Sequence, residues 1–125
     1  MGRFLVDSNA MIDFWGNLLP FSGVAFMENI FPSIATITRI EIMSWRNANP
    51  KSLKRLELLL SEITQYPLDE TVIEVTIKLR QLHKIKTPDA IIAATALVHQ
   101  LVLITRNTKD FYNIENLHLI DPYHL

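Results

Sequence analysis

A chain of 125 residues is long enough to bury a core without disulfides or a structural metal, and short enough to form one domain, residues 1–125. Hydrophobic residues at 49% and charged residues at 20% are the mixture of an ordinary globular protein, and the absence of cysteine excludes a disulfide scaffold and any thiolate zinc site while suiting a reducing cytosol. A formal net charge of −1 exerts no overall pull toward nucleic acid.

Phe4-Leu5-Val6 is a short apolar run ending at Asp7, as a buried first strand would. Asn9 to Trp15 opens a helix. The stretch Leu18 to Phe31 is interrupted by Pro20, Ser22, Glu28 and Asn29, too often to span a bilayer, and the first residues lack the design of a signal peptide. A soluble, cytoplasmic protein is expected. Ser33 to Ile37, with its β-branched residues, reads as a second strand. Thr38-Arg39-Ile40-Glu41 then fits a capping box, which predicts a helix from Arg39 to Arg46 that stops near Asn49-Pro50. Leu53, Leu56, Leu59, Leu60 and Ile63 fall on one helical stripe. Gln65 to Leu68 is expected as a short strand, and Glu70 to His83 as a helix with Val72, Val75, Leu79 and Leu82 facing inward. Thr87-Pro88-Asp89 is a helix start, with a hydroxyl N-cap, proline in first position and an acid in the first turn. The helix from Asp89 to Gln100 is apolar almost all round and is expected to be deeply buried. Leu101 to Thr105 and Leu117 to Ile120 complete the order as strands. No internal repeat or linker interrupts it.

Strands apolar on both faces, alternating with helices, predict an α/β sandwich with a mainly parallel sheet. Ligands of such folds gather at the carboxyl ends of the strands. Four acids fall there. Asp7 ends the first strand, Glu41 lies in the first turn of the next helix, Asp89 opens the buried helix, and Asp110 follows the strand Leu101 to Thr105, with Asn107 between them. Each has a structural explanation as well: Glu41 as capping partner of Thr38, Asp89 as complement to a helix dipole, Asp110 as a loop acid. Asp7 is the hardest to explain so, because an acid at the end of an apolar strand adds little to a core. Two unit charges about 4 Å apart repel by roughly 4 kcal/mol at an effective dielectric near 20. Four converging carboxylates therefore need protons or a cation, and oxygen-only ligands suit Mg²⁺ or Mn²⁺. Asp13, Glu28 and Asp69 read as surface or turn residues.

Phe4-Leu5-Val6-Asp7-Ser8-Asn9, followed by Ile12-Asp13, resembles the opening motif of PIN domains. Thr36-Ile37-Thr38-Arg39-Ile40-Glu41-Ile42 is similar to their second motif, and Thr87-Pro88-Asp89-Ala90-Ile91-Ile92-Ala93-Ala94-Thr95-Ala96 to their most specific one. Leu103-Ile104-Thr105-Arg106-Asn107-Thr108-Lys109-Asp110-Phe111 resembles the last. The motifs stand in family order, and within the family the likeness is to the VapC toxins of toxin–antitoxin pairs. The resemblance implies a three-layer α/β/α domain with a parallel sheet of about five strands. It also implies an RNA substrate hydrolysed by water on Mg²⁺ or Mn²⁺, a cognate antitoxin and a homodimer. By motif match, Asp7, Glu41, Asp89 and Asp110 carry over as the acidic set and Ser8 as a hydroxyl that orients Asp7. Two departures stand out. Many members have Asp where this chain has Asn107, with the acid three residues later at Asp110; and the family often has glycine shortly before the Asp89 motif, where Lys84-Ile85-Lys86 stands here.

Basic residues cluster from Arg39 to Arg55 (Arg39, Arg46, Lys51, Lys54, Arg55) and again at Lys78, Arg80, Lys84 and Lys86. Such clusters are commonly solvated helix faces. For RNA contact the sequence offers Arg39 and Arg46 on the helix of Glu41, and Arg106 beside the last motif. Arg106 is the better placed, since Arg39 is two residues from Glu41 and points away from it. His83, His99, His118 and His124 share no metal-ligand spacing. Two alternatives to a nuclease are an RNA-binding scaffold of the same fold that does not cut, and a phosphoacceptor signalling domain. The latter wants paired acids after the first strand, and Asp7 has no acidic neighbour.

Overall fold

The computed structural model describes residues 3–125. Five strands, β1 (Phe4–Val6), β2 (Pro32–Ala35), β3 (Thr64–Tyr66), β4 (Val102–Ile104) and β5 (Leu119–Ile120), form a sheet in the order β3-β2-β1-β4-β5. Every neighbouring pair is parallel. Parallel neighbours need crossover connections. These are α1 (Ser8–Trp15) and α2 (Phe21–Glu28) between β1 and β2, α3 (Thr36–Met43) and α4 (Pro50–Ser61) between β2 and β3, and α5 (Glu70–Leu82) and α6 (Thr87–His99) between β3 and β4. A single 3-10 turn, Thr108–Asp110, follows β4.

Successive strand residues point to opposite faces, and the central strands are apolar on both. Leu5, Ala35 and Leu103 pack with Val72 and Leu79 of α5 and Ile92, Ala93 and Ala96 of α6. Val6, Ile34 and Ile104 pack on the other face with Ala10 and Met11 of α1, Met27 of α2, Ile42 of α3 and Leu60 of α4. The result is three layers, α/β/α. As expected, α6 is buried along most of its length, including Ala90, Ile92, Ala93, Ala94 and Ala96. Among the described residues no helix is long and apolar enough to cross a membrane.

The segment Leu18 to Phe31, for which the sequence suggested no element, contains the helix α2, which enters from Pro20 without a side-chain cap. Three local expectations are corrected. The capping box at Thr38 does not form: α3 leaves β2 directly, with Ala35 at its N-cap, so Thr38 lies inside the first turn, fully buried, its hydroxyl without a hydrogen-bond partner among the described residues. That helix ends at Met43, which leaves Arg46 in an exposed turn rather than on the helix of Glu41. At α6 the N-cap position belongs to Lys86 rather than Thr87, and no side chain caps the helix.

Candidate active site

The strand order reverses at β1, whose sequence successor β2 lies on one side while β4 lies on the other. Such a switch point opens a crevice at the carboxyl ends of the strands. Asp7 follows β1 there and is buried. Its backbone N–H donates to the Ile104 carbonyl at 3.0 Å, which continues the β1–β4 ladder and fixes the residue in place. Its carboxylate accepts from the Ser8 N–H at 2.8 Å and from the Thr105 hydroxyl at 3.0 Å. Thr105 in turn accepts from the Asn107 N–H at 3.1 Å, so its hydroxyl proton is committed to Asp7.

The Ser8 hydroxyl donates to Glu41 Oε1 at 3.1 Å. The direct bond of Ser8 to Asp7 therefore comes from its main chain, and the expected hydroxyl clamp on Asp7 is chiefly a link from α1 to Glu41 on α3. Freed from any capping role, Glu41 extends from α3 toward this link.

Burial pushes the Asp7 carboxyl above its ordinary range, against the opposing effect of the Ser8 N–H, the Thr105 hydroxyl and the Ser8 hydroxyl. Glu41 is raised first by partial desolvation and then by the charges of Asp7 and Asp89, while its Ser8 bond lowers it. Asp89 is raised by desolvation and by Asp7 and Asp110, with Lys86 opposing. The four acids thus share one electrostatic neighbourhood, although Asp7 and Asp110 lie at distant points of the chain. Asp89 and Asp110 also line one hollow of about 260 Å³ together with Lys84, Ile85, Lys86, Lys109 and Asn113. Among the described residues no three acids or histidines stand close enough together to hold a metal ion. Oxygen is the only donor type that the four acids offer.

Asn107 takes part through its main chain. Besides the N–H bond to Thr105, its carbonyl accepts from the Asp110 N–H at 3.0 Å at the start of the 3-10 turn. Arg106 is engaged elsewhere: its guanidinium stands 3.8 Å from Asp13 Oδ2 and 5.2 Å above the Tyr123 ring. The Tyr123 hydroxyl donates to Asp13, and burial together with that bond holds the phenol protonated well above its usual range. Asp13, read from sequence as a surface residue, is a half-buried junction between α1 and the C-terminal segment. Arg39 lines a different cavity, with Met43, Glu57, Leu60, Ser61, Ile63 and Gln65. Thr105 escaped the sequence reading, where it was only the polar end of an apolar strand; its partner Asp7 is 98 residues away.

The sequence profile of the PIN domain matches residues 4–117. A comparison with curated proteins finds no match. Among solved structures, a toxin–antitoxin complex from Klebsiella pneumoniae contains a chain 34% identical to this one, with a TM-score of 0.80, matched over 98% of this chain and 100% of that one. FitAcB from Neisseria gonorrhoeae is similar at 26% identity and a TM-score of 0.76, over 98% of this chain and 100% of that one. VapBC-1 from nontypeable Haemophilus influenzae is similar at 25% identity and a TM-score of 0.82, over 96% and 98%. By profile, by fold and by the order of its motifs, this chain belongs to the PIN-domain family.

Proposed function

We propose that this protein is a ribonuclease of the VapC type, the toxin of a toxin–antitoxin pair, and that Asp7, Glu41, Asp89 and Asp110 form its metal-dependent active site with Mg²⁺ or Mn²⁺. One observation carries the reading: burial raises Asp7, Glu41 and Asp89, and the charge of Asp7 raises Glu41 and Asp89 further, at the strand switch point. A fold that only needed polar strand ends gains nothing from such a set. A divalent cation relieves it. Mg²⁺ commonly takes one or two carboxylates and completes its shell with water and substrate phosphate, so it does not require three protein ligands around one point. A bound divalent ion supplies positive charge that lowers the pKa of water and stabilises phosphoryl oxygens.

The chain's own groups divide the remaining work. Asp7, fixed by the Ser8 N–H and the Thr105 hydroxyl, is the rigid anchor. Ser8 holds Glu41 toward it. Asp89 and Asp110 open onto the hollow through which substrate would reach the acids. Asn107 supports through Thr105 and the 3-10 turn, which leaves Asp110 as the carboxylate of the last motif. The descriptions of the similar structures as toxin–antitoxin complexes support a cognate antitoxin as partner; a homodimer and a cytoplasmic location belong to the same reading. One alternative, an RNA-binding scaffold that does not cut, is favoured by the absence, among the described residues, of three metal-ligating side chains around one point, and a single assay separates the two. End-labelled RNA incubated with the purified chain is expected to be cut in Mn²⁺ or Mg²⁺, left intact in EDTA, and left intact by Asp7→Asn. RNA bound but uncut in every metal would contradict the ribonuclease and favour the scaffold.

A further inference from the structure

A crevice of carboxylates repels phosphate, so a ribonuclease site needs cations beside it that hold the backbone without quenching the acids. The arginines singled out in the sequence stand elsewhere: Arg106 between Asp13 and Tyr123, Arg39 in a separate cavity, Arg46 in an exposed turn beyond α3. The lysines are placed differently. Lys84, Lys86 and Lys109 line the same hollow of about 260 Å³ as Asp89 and Asp110. Lys84, Ile85 and Lys86 also line a second hollow, of about 390 Å³, with Arg80. Those three residues border both hollows, so Arg80 and the lysines flank the acids on one side.

The local chain explains this presentation. Between α5 and α6 the backbone is extended at both ends of the connection, with φ −132° and ψ 151° at His83 and φ −69° and ψ 148° at Lys86. Alternate side chains of an extended segment face opposite ways. Ile85 packs against the core, so Lys84 and Lys86 face outward together, and both are exposed. Arg80 Nε donates to the Ile85 carbonyl at 3.2 Å and holds the connection in place. Among the described residues none of Lys84, Lys86 and Lys109 forms an ion pair. Lys86 also occupies the N-cap of α6, whose first turn carries Asp89.

We propose that Lys84, Lys86 and Lys109 form a phosphate-binding track that carries a single-stranded RNA backbone to Asp89 and Asp110. The inference rests on the ribonuclease reading and adds the route of the substrate. It is tested by binding of a labelled single-stranded RNA to the full chain carrying Asp7→Asn, in Ca²⁺, over a salt series. Removing the track with Lys84→Ala, Lys86→Ala and Lys109→Ala should weaken binding at least tenfold at low salt. It should also flatten the log–log salt dependence by roughly 2, about 0.7 for each lost phosphate contact. As a control of equal charge, Lys51→Ala, Lys54→Ala and Arg55→Ala on α4, across the sheet, should leave that slope near the parent's. A track variant with the parent's slope and affinity overturns the proposal, and so does an equal loss in both triple variants, which would mean general attraction rather than a path. A parent that binds no RNA overturns the track and the ribonuclease reading together, whereas a parent that binds and an unaffected track variant overturn the track alone.

Discussion

Asp7 accepts two hydrogen bonds, and burial still lifts its carboxyl above the ordinary range. The sign of the consequence follows from proton linkage. The folded state holds its protons more tightly than the unfolded chain, whose carboxylates titrate near 4. As pH rises from that value through the raised folded values of Asp7, Glu41 and Asp89, the unfolded chain ionises first, and stability falls. In EDTA the melting temperature should therefore drop from mildly acidic to neutral pH, beyond any general trend. Asp7→Asn should make that drop shallower and raise the neutral-pH melting temperature, by an amount on the order of a few degrees. Thermal melts of both proteins from pH 4.5 to 7.5 check this. A variant less stable than the parent at neutral pH would mean that the Ser8 and Thr105 bonds outweigh desolvation. At this scale the sequence singled out Asp7, because an acid at the end of an apolar strand contradicts its surroundings, and the fold buries it. It did not show Thr105 or Asp13, because their polar partners lie 98 and 110 residues away and leave no local pattern.

Among the elements, those with a periodic stripe or a strong stop were legible, and those shaped by tertiary packing were not. The buried α6 and the strands β1 and β4 follow from apolar runs bounded by polar residues. Helix α2 is apolar on all sides and begins without a cap, so neither a stripe nor a start signal marks it. Helix α3 begins at Thr36, where the Thr36 hydroxyl donates to the Tyr66 carbonyl of β3 at 3.3 Å, and this contact across the sheet overrides the capping pattern at Thr38. Gly23 shows why α2 is needed where it is. A Cβ there would run into the Pro122 carbonyl, so the glycine allows the C-terminal segment to lie against α2. Ser22 holds the end of that segment by donating to the Leu125 carbonyl at 3.2 Å, and Tyr123 reaches Asp13 beside it. Gly23→Ala should therefore displace residues 121–125 and destabilise the protein by about 1–3 kcal/mol, a fall in melting temperature on the order of 5 °C or more. A melt with tyrosine fluorescence would record both effects. An unchanged melt and spectrum would show that the segment is not seated on α2.

For the whole molecule, a fully parallel sheet with helices on both faces was legible from strands apolar on both sides, and it dictates where a site can form. The reversal of strand order at β1 brings the ends of β1 and β4 together at a crevice, and acids scattered along the chain come within electrostatic reach of one another there. What the sequence could not supply was the flank of that crevice. It offered arginines for RNA, and the fold instead turns Arg106 toward Asp13 and Arg39 toward α4, while Lys84, Lys86 and Lys109 border the acids. Calorimetric titration of Mn²⁺ into the parent and into Asp7→Asn, Glu41→Gln and Asp89→Asn asks whether Asp7, Glu41 and Asp89 act as one divalent-ion site. Saturable binding to the parent and at least a tenfold weaker affinity in each single variant are expected, since a charged carboxylate is lost from a shared site. Parent-like binding in all three variants would mean that these acids hold no common ion.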